Sequence, residues 1–128
     1  MYYEKLALEV IAARSHWGVA SPPILTGRSG IPHRFDFVAY DGRENIVFDI
    51  YDRLTETDVI KTFVKKLDTG AIAYIICVSE KMTEGAGRLA WEYGLKVLRS
   101  RSIESAFRQE EMAPIRSQSQ VRTTEWGV

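Results

Sequence analysis

Two aspartates stand where aspartate is uncommon. Asp36 and Asp49 fall in the runs Phe35 to Tyr40 and Ile46 to Tyr51, which are otherwise rich in β-branched and aromatic residues, and aspartate is depleted in strand interiors. Projecting from one sheet face, the two carboxylates would make an oxygen donor pair of the kind that a hard divalent cation takes. On opposite faces they would share no chemistry. The plainer alternative is that Asp36 merely begins a strand and Asp49 is one polar residue on a half-exposed face.

Other residues carry weaker signals. His16, His33 and Cys77 are the only imidazole and thiol groups in the chain, too few for a zinc site of the usual ligands. Cys77 lies inside the apolar run Ala71 to Val78 and reads as a packing residue. The Gly27 to Gly30 segment lacks the Gly-Lys-Ser/Thr ending of a phosphate-binding loop. Arg28, His33, Arg34 and Arg53, with Lys61, Lys65 and Lys66, are candidates for phosphate contact near the hairpin. Acidic residues intersperse with them, so an ordinary solvated surface explains them as well.

The whole chain has no charge bias to help, since lysine plus arginine equals aspartate plus glutamate at 17 each. Polyanion binding must therefore come from a local patch. With 128 residues, 45% hydrophobic and 27% charged, the chain is expected to form one soluble domain around one core. No apolar run approaches the roughly 20 residues of a membrane helix, and the start Met-Tyr-Tyr-Glu-Lys lacks the pattern of a leader. The expectation is a cytoplasmic protein with no membrane partner.

The elements that must position the aspartates follow from periodicity. Tyr3, Leu6, Ala7, Val10 and Ile11 recur at helical spacing, with Gly18 as the stop. Ser21-Pro22-Pro23 and the glycines after it allow only a short strand near Ile24 and Leu25. Asp41-Gly42 between the two β-rich runs makes a hairpin. Thr55 and Asp58 suit a capping box for a helix carrying the apolar stripe Val59, Ile60, Phe63, Val64 and Leu67, ended by Gly70. Ala71 to Val78 reads as a buried central strand, which the intervening helix makes parallel to its predecessor. A helix with Met82, Ala86, Leu89, Ala90 and Tyr93 on one face, a strand Leu95 to Arg99, and a helix from Ser102 to about Gln109 complete a domain of residues 1–111. Residues 112–128 are expected to be a polar arm, either a mobile tail or an arm docked on a second subunit, for which Ile115, Val121 and Trp126 are candidate anchors.

This order resembles the PD-(D/E)XK nuclease superfamily, among them the Mrr-like restriction enzymes and archaeal Holliday-junction resolvases. The residues concerned are Gly30 to Val38, Asp41-Gly42, Val47-Phe48-Asp49-Ile50-Tyr51, Ala73 to Ser79, Ala86 to Ala90 and Tyr93 to Leu98. The resemblance covers about residues 3–108. It implies an α/β restriction-endonuclease-like three-layer fold: a mixed sheet with an antiparallel hairpin and a parallel crossover, and helices on both faces. It also implies Asp36 and Asp49 as ligands of Mg or Mn, Glu4 as a further ligand from the first helix, and double-stranded or branched DNA as substrate.

The chain departs from the pattern at Tyr51, where the family has lysine. A phenol with a pKa of about 10 cannot act as an ammonium, so hydrolysis is expected to be weak or lost unless Lys61 or Lys65 reaches back over the sheet. The competing expectation is an inactive nuclease-fold binding or assembly module that forms a homodimer. A hairpin loop of Gly42 to Asn45 would set Tyr40 opposite Val47, Val38 opposite Asp49 and Asp36 opposite Tyr51. Asp36 and Asp49 then share a face. A five-residue loop would separate them.

Overall fold

Alternation along a single strand organises the molecule. In the computed structural model, which describes residues 2–108, β5 (Asn45–Leu54) occupies the middle of a five-stranded sheet ordered β1-β4-β5-β6-β7. Ile46, Phe48 and Ile50 point to one face; Val47, Asp49 and Tyr51 point to the other, as the two-residue period of a strand requires. The partners are β1 (Gly18–Val19), β4 (Phe37–Tyr40), β6 (Ile72–Met82) and β7 (Lys96–Arg99). β1, β4 and β5 pair antiparallel, and β5, β6 and β7 pair parallel. A separate antiparallel pair joins β2 (Ile24–Thr26) to β3 (Pro32–Arg34).

Helices cover both faces, so the fold is a three-layer α/β arrangement with a mixed sheet. On one side α1 (Tyr2–Arg14) and the helical residues 103–108, here α4, bury Leu8, Ile11, Ala12, Ile103, Ala106 and Phe107 against Phe37, Phe48 and Ile76. On the other, α2 (Glu56–Thr69) and α3 (Glu84–Glu92) pack on Val38, Val47, Ile75 and Cys77. Cys77 is fully buried, in keeping with a packing role. No helix among the described residues is long and apolar enough to cross a membrane. The polar arm at 112–128 lies outside the described residues.

The local signals account for most boundaries. Thr55 caps α2: its hydroxyl accepts from the Asp58 N–H while the Asp58 carboxylate accepts from the Thr55 N–H, satisfying two donors that the helix start leaves without partners. Gly70 ends the helix with φ 72°, a left-handed value that costs glycine nothing.

Several expectations need correction. Gly18 is a strand residue, not the stop of α1; the chain turns at His16 instead, with φ 60°. Met82 ends β6 rather than entering α3. The apolar stripe of α2 is only partly its core face. Val59 and Thr62 are the buried residues and Phe63 is half-buried, whereas Ile60, Val64 and Leu67 face solvent.

The hairpin register also differs. Tyr40 pairs with Asn45, Val38 with Val47, and Phe37 with Phe48, so the loop is residues 41–44. Its start is fixed by the Asp41 carboxylate, which accepts from the backbone N–H groups of Arg43 and Glu44. This turn begins one residue earlier than the sequence suggested, and the pairing moves by two. The pairing ends at Phe37: Asp36 sits in a bend just before β4 with its N–H donating to the Phe48 carbonyl, and there its carboxylate is close enough to Asp49 for the two charges to act on each other.

Candidate functional site

Asp49 is a carboxylate in the core. It is only 4% exposed, under α2, and an ionised group there requires partners. α2 supplies two, three residues apart and so on one helix flank. The Thr62 hydroxyl donates to Asp49 Oδ2 at 2.7 Å, and the Lys65 ammonium lies 2.8 Å from the same oxygen. Lys65 is fixed further by donating to the Arg34 carbonyl at 2.8 Å and by lying 4.5 Å from the centroid of the Phe35 ring. A long flexible cation is thus held by a charge, a carbonyl and an aromatic face.

Asp36 is more open, just before β4. Its Oδ2 accepts from the Ile50 N–H at 2.7 Å. Partial desolvation raises the Asp36 carboxyl above its usual value; the Ile50 N–H opposes this, and the nearby Asp49 carboxylate pushes the same way as desolvation. Among the described residues, the hydrogen bonds and the ion pair of the two carboxylates all fall on Oδ2, which leaves Oδ1 of each without a hydrogen-bonding partner.

Tyr51 follows Asp49 by two residues on the same face. Its hydroxyl is 3.0 Å from Thr62 Oγ1 and 3.4 Å from the Asp58 carbonyl. Burial, opposed by the Thr62 bond and reinforced by Asp49, Asp58 and Asp36, pushes the phenol up to about 12. Tyr51 is therefore a neutral donor where the resembling family has lysine.

The other sequence candidates lie elsewhere. Lys61 is exposed and contacts neither aspartate. Glu4 belongs to α1, on the opposite side of the sheet, and no group of three or more His, Cys, Asp or Glu side chains that could hold a metal ion occurs among the described residues. His33 bonds Asp68 Oδ2 through Nε2 at 2.7 Å. Arg28, Arg34 and Arg53 are exposed. Thr62 was missed by the sequence reading, although a polar residue three after Val59 on a core-facing flank was the available signal.

Asp68 clamps the Gly27 to Gly30 loop to the end of α2. Its carboxylate accepts from the Ser29 hydroxyl, from His33 and from the Ser29 N–H, which together lower its pKa to about 2. A carboxylate depressed in the folded state stabilises the fold above its unfolded pKa of about 3.9 and loses that contribution as pH falls towards 2. The urea midpoint should therefore drop between about pH 4 and pH 2. Asp68→Asn should lower the midpoint at neutral pH and flatten that decline; an unchanged acid slope would show that the clamp contributes nothing.

The pair fits a hard divalent cation by the chemistry of its donors. Two carboxylates, one of them desolvated, are a common protein contribution to a Mg site, the remaining positions going to water and substrate phosphate.

Neither a family model nor a curated protein matches the sequence. A solved structure is similar in fold: the protein of unknown function AF1548, with a TM-score of 0.58 at 15% identity. The match covers 73% of this chain and 54% of that one, so the chain spans about half the length of AF1548. At that identity the likeness establishes a shared fold alone, and what the site does must be argued from its own residues.

Proposed function

We propose that the protein belongs to the PD-(D/E)XK nuclease superfamily and hydrolyses DNA phosphodiester bonds with Mg or Mn, with Lys65 in place of the missing strand lysine. The observation that carries this reading is the Lys65 ammonium 2.8 Å from Asp49 Oδ2, with the carboxylate of Asp36 nearby, just before the neighbouring strand. Asp36 and Asp49 would hold the cation through their Oδ1 atoms. When bound, the cation offsets negative charge developing on the phosphoryl group. Lys65, held by Phe35 and the Arg34 carbonyl, orients and polarises the attacking water. Arg34, exposed on the segment that Lys65 grips, would contact phosphate.

The test is incubation of supercoiled plasmid and of branched duplexes with the full chain in Mg or Mn. Nicking that stops on chelation is the expected result. No nicking, or nicking indifferent to chelator, would overturn the reading.

The deep burial of Asp49 favours one alternative. A carboxylate already paired to lysine can be a purely structural ion pair, and the protein would then be an inactive nuclease-fold binding or assembly module. DNA binding unaffected by divalent cations, without cleavage, would support it.

A further inference from the structure

We infer that Thr62 is a positioning residue for the carboxylate pair: its hydroxyl, held by Tyr51, fixes the rotation of the Asp49 carboxylate so that Oδ1 is the oxygen offered to the cation. This rests on the pair being a metal centre.

Proton counting sets the direction of the chain. Ionised Asp49 can only accept, so the single Thr62 hydroxyl proton goes to Oδ2 at 2.7 Å. Thr62 Oγ1 must then accept from Tyr51 in the 3.0 Å contact. Tyr51 donates, Thr62 passes the polarity on, and Asp49 receives it.

The bond is not the one that a helix gives threonine by default. A helical threonine hydroxyl divides between two rotamers and often bonds the carbonyl four residues back. For Thr62 that carbonyl is Asp58, which instead has the Tyr51 hydroxyl 3.4 Å away. With its one proton given to Thr62 Oγ1, the Tyr51 hydroxyl only lies beside that carbonyl, and it holds the threonine rotamer that faces Asp49. Thr62 is completely buried, so water does not substitute for either partner.

Lys65 meets the same Oδ2. With two donors on one oxygen, the carboxylate cannot rotate to exchange Oδ1 for Oδ2 without breaking both bonds. The tyrosine at the family's lysine position thereby acquires a role: it anchors the helix that carries the replacement lysine.

The test is Mn binding to the full chain without DNA, followed by electron paramagnetic resonance of free Mn, for the wild type, Thr62→Val, Thr62→Ser, Tyr51→Phe and Asp49→Asn. Loss of an outer-shell partner commonly costs about 10 to 100-fold in metal affinity, and Thr62→Val should fall in that range. Thr62→Ser, which restores the hydroxyl, should stay close to wild type, and Tyr51→Phe should show a smaller but measurable loss. Thr62→Val binding like wild type, or Thr62→Ser losing as much as Thr62→Val, would overturn the inference, the latter by assigning the effect to packing. Should Thr62→Val not fold, Thr62→Ser and Tyr51→Phe decide, and Tyr51→Phe equal to wild type rejects the relay. Wild type binding no better than Asp49→Asn would instead bring down the metal-centre reading itself.

Discussion

Lys65→Ala should lower the rate of metal-dependent DNA cleavage by about 10² to 10³-fold, the range that one preorganised electrostatic group contributes, and Tyr51→Lys in the same chain should recover part of the loss. The first effect follows from removing the cation beside Asp49. The second follows from the strand: Tyr51 shares the face of Asp49 two residues on, where the resembling family carries its lysine. A lysine there can run its methylene stem along the apolar surface under α2 and bring its ammonium to the carboxylate. Lys65→Ala also leaves a buried charge without its partner, which is destabilising, so rates should be compared where circular dichroism shows each variant folded. Lys61→Ala serves as the control, because Lys61 is solvated and touches neither aspartate. A Lys65→Ala protein that cleaves at the wild-type rate would remove lysine from the mechanism.

Phe48→Ala should cost about 3 to 5 kcal/mol of stability, the usual penalty for deleting a core aromatic. Phe48 has no exposed surface and sits on the face of β5 opposite the site. Its ring stacks on Tyr74 at 5.1 Å between centroids, meets Phe37 edge-on at 5.8 Å and lies 6.5 Å from Phe107. One side chain therefore joins β4, β5, β6 and α4. Against the roughly 5 to 15 kcal/mol that holds a domain together, the loss would take a large share of the margin. Urea titration of both proteins measures it directly, and a change below about 1 kcal/mol would mean that the aromatic cluster is not the keystone of that layer.

What the sequence made legible was what neighbours along the chain decide. The capping box at Thr55 and Asp58 and the Gly70 stop depend on residues a few positions apart, the parallel crossover on the helix lying between its two strands, and all are present. The helical stripe on α2 misled because periodicity marks an apolar flank without saying which flank meets the sheet. Val59 and Thr62 turned inward, while Ile60, Val64 and Leu67 did not. β1 was invisible because two residues, Gly18 and Val19, carry no period at all. The candidate site divided in the same way. Asp36 and Asp49 announced themselves by their residue type in β-rich runs. The approach of Lys65 and Thr62 depends on how α2 crosses the sheet, which no local pattern encodes.

The hairpin behaves as a counter that registers only odd and even. Moving its turn by one residue changed every partner of β4 and β5 yet left the carboxylates together, because cross-strand pairing then shifts in steps of two. A residue added to or removed from the 41–44 loop changes the length of the loop alone, because β5 is also held in register by β6. A slip of β5 itself by one residue is another matter: Asp49 would rotate into the space of Phe48 and Phe48 into the space under α2. Core and site are the two sides of one strand, so its register is constrained by packing and chemistry at once.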